Sequence, residues 1–212
     1  LTCHAPWVTV QCFFDSWLVG AQLPDRSAVF GLTPFAAEAG ITFSEPMKLA
    51  AFQSGQTVTC DLNDWLLKED QVVFVKRPGW IQTNDMINIT LQGWFALGCA
   101  RAGLDVMEEA WRRRKSDFIK SALDALEAER MQCREALTRP CDPEPERLRA
   151  RAWVIDLAVR CAHAAVVASS GAANSFEHPA QRVFREALVF SVTAQTGPIM
   201  EATLHRLVNR GG

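Results

Sequence analysis

The sequence predicts an α+β protein, in which a small antiparallel β-sandwich or barrel comes first and an up-and-down four-helix bundle follows. Two observations predict this order. Short segments rich in β-branched and aromatic residues alternate with turn-forming residues up to about residue 78. From about residue 84 onward, apolar residues instead recur every three or four positions. We therefore expect a β-domain over residues 1–78 and a helical domain over residues 79–212.

Five segments of the first part have the composition of strands. They cover residues 7–10, 17–21, 28–32, 57–62 and 72–75. Valine, phenylalanine, tryptophan and threonine dominate them, and these residues fit the pleated, half-buried surface of a sheet. Turn formers such as Pro24, Gly40 and Gly55 separate the segments. Short strands at this spacing favour an antiparallel sandwich or barrel.

The second part has the periodicity of long helices. We expect helices over residues 84–114, 116–137 and 146–168, and a further pair that starts near Pro179. A polar break at residues 193–198 divides that pair, because Gly197 suits a bend and Pro198 suits the first turn of a helix. Gly98 is expected to permit close contact between helices. Long helices with short connections predict an up-and-down bundle.

Composition excludes several classes of protein. With 212 residues and 49% apolar residues, the chain is long enough and apolar enough to bury a core. A net charge of -2 gives no reason to expect nucleic acid or a membrane surface as a partner. The sequence has no run of about 18 uncharged apolar residues, so we expect no membrane-spanning helix. The abrupt, strand-like start indicates a β-domain that is incomplete at its N-terminus.

The cysteines and histidines give no sign of a metal site. Seven cysteines are scattered without CxxC spacing, which predicts buried, reduced thiols in a cytoplasmic protein. The four histidines are also far apart in the sequence. His163 falls on an apolar helix face, where a hydrogen-bonded core histidine is expected. We therefore expect no bound metal.

Four local patterns, in this order along the chain, resemble the last two domains of the acyl-CoA dehydrogenase family. Residues 5–9, APWVT, resemble its K-x-W-I-T strand, and residues 49–62 resemble a turn and strand that follow it. Residues 95–105, FALGCARAGLD, resemble the start of its helical bundle. Residues 166–186 resemble its glycine-rich loop and the arginine-containing helix behind that loop, with Pro179 and Arg182 in place.

The resemblance implies an FAD site with six candidate contacts. Trp7 and Thr9 would lie against the flavin ring, although a tryptophan in the core of the sandwich is the other explanation for the same strand. The loop Ser169, Ser170 and Gly171 replaces the family's double glycine, next to which the dinucleotide part of FAD from a neighbouring subunit binds. A plain helix-ending turn explains that loop equally well.

Arg114 is the sixth candidate contact. It matches a family arginine that contacts FAD across a subunit interface. It belongs to the basic run Arg112–Arg114 and Lys115, which would otherwise be a solvated helix face.

The chain departs from the family at the catalytic base, a glutamate that removes the proton α to the thioester carbonyl. Ala194 stands at one usual position of that glutamate, and Asn88 stands at the other. Asp85 and Glu201 lie nearby as weak candidates for a displaced base, and both are better explained as acids near helix N-termini. His163 and His205 are weaker candidates, because some monooxygenases on this fold use a histidine.

Three functions follow from the resemblance. The first is FAD-dependent oxidation of an acyl-CoA or other acyl thioester, with an unusual or displaced base. The second is a catalytically silent subunit, structural or binding an acyl thioester. The third is a flavin monooxygenase on the same fold. In each case the helical bundle is expected to form a homo-oligomer, a dimer or tetramer.

Overall fold

A computed structural model describes residues 1–139 and 143–209. The chain divides into a β unit, Leu1–Asp85, and a helical unit that begins at Met86. Two small antiparallel sheets precede six α-helices in the described chain, which confirms the predicted α+β class.

Two three-stranded sheets form the β unit. One has the order β1-β5-β4 and the other has the order β2-β3-β6, and all paired strands are antiparallel. The strands are β1 (Cys3–Val8), β2 (Ser16–Gln22), β3 (Ala28–Pro34), β4 (Ile41–Phe43), β5 (Val58–Leu62) and β6 (Val72–Lys76). The composition predicted five of these and missed β4, but it placed the first strand at residues 7–10, whereas β1 already begins at Cys3. With three residues, β4 is too short to produce a recognisable alternation.

Side chains from both sheets share one core. On β5 the alternate residues Val58, Cys60 and Leu62 are buried, and the two residues between them are more exposed. They pack with Val8, Val19, Ile41 and Trp65. Because Val19 comes from the second sheet, the two sheets face each other across this cluster, as a sandwich requires.

Six helices follow. They are α1 (Trp80–Ile87), α2 (Gly93–Arg114), α3 (Asp117–Thr138), α4 (Glu144–Ser169), α5 (Pro179–Val192) and α6 (Gly197–Val208). The prediction of a single helix over residues 84–114 was wrong, because the chain turns between α1 and α2. There the amide of Leu91 donates a hydrogen bond to the carbonyl of Asn88, and the amide of Gly93 donates one to the carbonyl of Thr90. Both bonds span three residues, so these turns are tighter than an α-helix.

Helix α4 is the central helix of the helical unit, since α2, α3, α5 and α6 all pack against it. By length and composition, the stretch Glu144–Asn174 also contains an 18-residue segment that is apolar enough to cross a membrane, with a mean hydropathy of 1.4. Arg151, Asp156 and Arg160 interrupt this stretch, so it is not an uncharged apolar run. Because 61% of that 18-residue segment is buried inside the protein, its apolar character is that of a core helix.

The close contact between α2 and α4 occurs at Gly103 and not at Gly98. A Cβ atom on Gly103 would lie 2.8 Å from the backbone carbon and oxygen of Cys161, whereas one on Gly98 would meet nothing within 4 Å. Five residues correspond to a rotation of about 140° around a helix, so the two glycines face different directions. The expectation for Gly98 was therefore wrong.

Most of the cysteines are buried and unpaired, as predicted. Cys60, Cys99, Cys133 and Cys161 are buried, and no disulfide joins the cysteines of the described ranges. Burial raises the pKa of the Cys161 thiol to about 12, so it stays protonated at neutral pH. Cys141 lies outside the described residues.

Candidate functional site

The end of β1 presents Trp7 to solvent. Ala5 pairs with Cys60 and Val8 pairs with Val58, so β1 has one more residue than β5 between these two pairs. This β-bulge breaks the alternation of the strand. Trp7 is consequently 56% exposed, although regular pairing would place it on the same face as half-buried Ala5. The alternative of a core tryptophan is therefore wrong.

The turn after β1 holds strained backbone. Thr9 is exposed, and Val10 follows it at a φ of 63°, which is a genuine outlier for a β-branched residue. The Val10 amide donates a hydrogen bond of 2.7 Å to the Gly55 carbonyl. Phe52, three residues before Gly55, is also in the left-handed region, at a φ of 57°. Strained residues of this kind are often retained near functional sites.

In the helical unit, two of the predicted cofactor contacts line one groove. Arg114 ends α2 and Ser170 follows α4, and both border a groove of about 530 Å³. The other lining residues are mostly apolar, with two further basic groups: Met107, Phe118, Ile119, Ala122, Arg160, His163, Ala164, Val167 and Ala168. The groove combines positive charge with apolar walls, so it suits a ligand that has an anionic group and a flat apolar part.

Of the two arginines that line this groove, Arg114 is the one whose charge is free to bind a ligand. It is exposed and forms no ion pair with any residue that the structure describes. Arg160, in contrast, already bonds to Glu129 and Asp156. Sequence reasoning missed Arg160 and Val167, although the spacing of Arg160, His163 and Val167 places all three on one face of α4.

The loop after α4 has a conformation that suits glycine. Ser170 has φ 58° and ψ -150°, a combination that almost only glycine adopts. Ser169 is buried in ordinary helical geometry, at φ -83° and ψ -14°, whereas Ser170 and Gly171 are exposed. Of the three predicted loop contacts, only Ser170 and Gly171 are therefore accessible to a ligand from solvent.

Replacing Ser170 with glycine is expected to stabilise the protein by about 1 kcal/mol, because glycine adopts this conformation without the clash of a Cβ atom. Thermal unfolding should then occur about 2–4 °C higher than in the wild type. Ser169→Gly is the matched control, and it should destabilise by a similar amount because it adds a glycine to a helical position. A lower melting temperature for Ser170→Gly would contradict this account.

The elbow between α5 and α6 consists of residues 193–196. Ala194 is exposed and has a φ of 47°, again in the left-handed region. The Thr193 carbonyl accepts a hydrogen bond of 2.9 Å from Nη2 of Arg151 on α4. Arg151 is a residue that sequence reasoning missed, since nothing in its local pattern separates it from the other arginines of α4.

Neither weak candidate for a displaced base is buried. Asp85 is exposed in the second half of α1, so its explanation as an acid in the first helical turn was wrong. Glu201 is exposed on α6 and lies with His205 in a shallow, mostly apolar groove. Asn88 is half-buried in the turn after α1. A general base needs a held position and a tuned pKa, and exposure provides neither.

His163 is exposed and is therefore not a core histidine, which corrects the expectation for it. Its ring contacts that of Phe184 edge to face, with the centroids 6.1 Å apart. Twelve residues of α4 separate it from Arg151, which is about 18 Å along the helix axis. His163 consequently belongs to the end of the bundle that carries the groove, far from the elbow.

A network of ion pairs joins α3, α4 and α6. Arg160 donates to Glu129 at 2.8 Å and to Asp156 at 2.9 Å, and Trp153 donates to Glu129 at 2.7 Å. Arg206 reaches Asp156 at 3.4 Å. The hydrogen bond from Arg160 is the largest influence that holds the pKa of Glu129 below its ordinary value. Because these charged side chains bond to one another, we assign them a structural role.

The comparisons with known proteins identify the fold. No protein-family model and no curated protein sequence matches the chain. Among solved structures, an acyl-CoA dehydrogenase from Geobacillus kaustophilus aligns with a TM-score of 0.78 at 13% identity, over 98% of this chain and 60% of that one. The glutaryl-coenzyme A dehydrogenase complex with glutaryl-CoA aligns at 0.75 and 13% identity, over 98% and 58%.

A third structure is the acyl-CoA dehydrogenase from Bacillus anthracis complexed with FAD. It aligns with a TM-score of 0.74 at 16% identity, over 99% of this chain and 43% of that one. The chain thus has the fold of the acyl-CoA dehydrogenases and spans less than two thirds of the length of these structures.

Proposed function

We propose that the protein is an acyl-CoA dehydrogenase-like flavoprotein that binds FAD and an acyl thioester. The observation that carries this proposal is the groove lined by both Arg114 and Ser170. These residues lie 56 positions apart in the sequence, and the family resemblance selected each of them from a different motif. Their meeting at one groove supports a dinucleotide site there.

The residues of the groove fit an anionic dinucleotide. Arg114 carries a positive charge that no described residue neutralises, and the loop of Ser170 and Gly171 has little side-chain bulk. Apolar neighbours such as Phe118 and Val167 offer a surface for a flat ring. In the β unit, the exposed ring of Trp7 and the hydroxyl group of Thr9 are the candidate contacts for the isoalloxazine. Bound FAD would supply the hydride acceptor for oxidation of an acyl thioester.

A second candidate function is a catalytically silent subunit that binds the same ligands. The exposed methyl group of Ala194 at the elbow and the exposure of Asp85 and Glu201 favour it, since none of these provides a buried carboxylate. A flavin monooxygenase has less support, because His163 lies about 18 Å along the α4 axis from Arg151, the residue that bonds to the elbow.

The colour of the purified protein tests the proposal. A preparation with the visible absorption of a flavin supports FAD binding, and a colourless preparation that cannot be reconstituted with FAD refutes it. Anaerobic addition of butyryl-CoA then separates the two candidates. Bleaching of the flavin supports the dehydrogenase, whereas binding without bleaching supports the silent subunit.

Arg114→Gln is expected to weaken FAD retention at least tenfold, because it removes the unpaired charge of the groove while it preserves most of the side-chain volume. Arg113→Gln is the matched control, since Arg113 is exposed on the same helix end but does not line the groove. Equilibrium dialysis against FAD gives both affinities. Equal affinities for the two variants would remove Arg114 from the site.

We also propose that the protein forms a homo-oligomer through its helical unit. Helices α5 and α6 expose large apolar side chains that a monomer would leave in water: Phe184, Leu188, Val192, Met200, Leu204, Leu207 and Val208. Apolar surface of this extent is typical of protein–protein contacts. Sedimentation of the purified protein as a monomer at micromolar concentration would contradict this assignment.

A further inference from the structure

The elbow between α5 and α6 lies against a buried positive charge. Arg151 is 1% exposed, and Nη2 donates a hydrogen bond to the Thr193 carbonyl. Among the described residues, its Nε and Nη1 atoms are buried without a hydrogen-bond partner and no carboxylate pairs with it. A guanidinium group has five donors, so most of its hydrogen-bonding capacity is unused here.

The isolation of Arg151 is unusual for this protein. Arg160, nine residues further along the same helix, bonds to Glu129 and Asp156. Arg151 has no such carboxylate among the described residues, and burial alone lowers its pKa to about 10. It is therefore still charged at neutral pH. A buried charge without a counter-charge destabilises a fold, and a single hydrogen bond to a carbonyl offsets only part of that cost.

The turn whose carbonyl Arg151 contacts is exposed at its next residue. Ala194 directly follows Thr193 and is exposed, and its methyl group places neither charge nor bulk at the elbow. Its left-handed backbone, at a φ of 47°, is itself unfavourable for alanine. Two unfavourable features thus coincide at one turn. Because the medium around Arg151 is poorly polarisable, its charge acts strongly on any anion at the elbow.

We propose that the elbow is an anion-binding site, where Arg151 attracts the carboxylate of a dicarboxylic acyl thioester. The elbow would then hold a negatively charged part of the ligand at the place where the resemblance locates a negatively charged base. The anion-binding property depends only on Arg151 and the elbow. The identity of the ligand as an acyl thioester rests on the proposed function.

A double-mutant cycle tests the electrostatic part. Ala194→Glu places a carboxylate at the elbow, and Ala194→Gln is its neutral control. With Arg151 present, we expect the folding equilibrium constant of Ala194→Glu to be about tenfold larger than that of Ala194→Gln. This is the size of the attraction between opposite charges several ångströms apart at a partly buried site. With Arg151→Met the ratio should fall to about one. A ratio that Arg151→Met leaves unchanged would overturn the proposal.

The melting temperature of Arg151→Met separates this role from a purely structural one. The structural alternative is that Arg151 stabilises the C-terminal end of α5. Under our proposal, the loss of one hydrogen bond is offset by removal of the buried charge, so the melting temperature should stay within about 4 °C of the wild type. A larger decrease would assign Arg151 to the structure and count against the anion site.

Ligand binding tests the chemical class. Arg151→Met is expected to weaken binding of glutaryl-CoA at least tenfold and binding of butyryl-CoA less than twofold, because only the former has a second carboxylate. Equal losses for the two thioesters would overturn the proposal. If the wild type binds neither thioester, the proposed function and this ligand class both fail, while the double-mutant cycle still decides whether the elbow attracts anions.

Discussion

Gly103→Ala is expected to destabilise the helical unit by about 3 kcal/mol, at the upper end of the usual cost of overpacking. The added Cβ atom would lie 2.8 Å from the carbonyl carbon and oxygen of Cys161. These are backbone atoms of the central helix, so they cannot rotate away as a flexible side chain could. Helix α2 or α4 would have to shift, and every contact between them would loosen.

Gly98→Ala is the matched control, because it makes the same chemical change five residues earlier in the same helix. A Cβ atom at Gly98 has no neighbour within 4 Å. Alanine is also the better helix former, so this variant should gain about 1 kcal/mol. Urea unfolding followed by circular dichroism measures both changes. Similar effects at the two positions would show that α2 and α4 do not approach each other closely at Gly103.

Arg160→Met is expected to cost about 3 kcal/mol at neutral pH, because it removes the ion pair that Arg160 forms at 2.9 Å with the carboxylate of Asp156, which is 4% exposed. Glu129 would also lose its main hydrogen-bond donor. Arg112→Met is the control. Arg112 is 67% exposed in its pair with Glu108, and such surface pairs contribute at most about 1 kcal/mol.

The effect of Arg160→Met should depend on pH. Since the pKa of Glu129 is lowered in the folded protein, its pairing stabilises the fold above its ordinary pKa of 4.5. That contribution is lost as the pH falls through the lower pKa of the folded state. The difference between wild type and Arg160→Met should therefore be largest near pH 7 and shrink below about pH 4. A difference that stays constant with pH would show that Arg160 contributes by packing alone.

Local periodicity predicted most of the secondary structure. Helices α3 and α4 begin and end within two residues of the predicted bounds, because their apolar spacing and the breakers beside them are local signals. The break between α1 and α2 was missed because apolar residues continue through the turn. Strand β4 was missed because it pairs with β5 through only three residues.

The candidate site was predicted only in part. The resemblance identified Trp7, Arg114 and Ser170 from short motifs, but not whether any of them is accessible. A β-bulge exposes Trp7, and the approach of α2 to α4 places Arg114 beside Ser170. Arg151 left no signal in the sequence, since the absence of a counter-charge depends on every element around it.

By itself, the sequence determined the order of a β part and a helical part, the positions of the long helices, and the absence of a carboxylate at residues 88 and 194. These properties depend on residue identity and on neighbours within one or two turns of chain. The tertiary structure decided that Gly103 and not Gly98 contacts α4, that Trp7 faces solvent, and that Arg151 is buried without an ion-pair partner among the described residues. Burial and helix contact depend on residues that are distant in the chain and meet only when it folds.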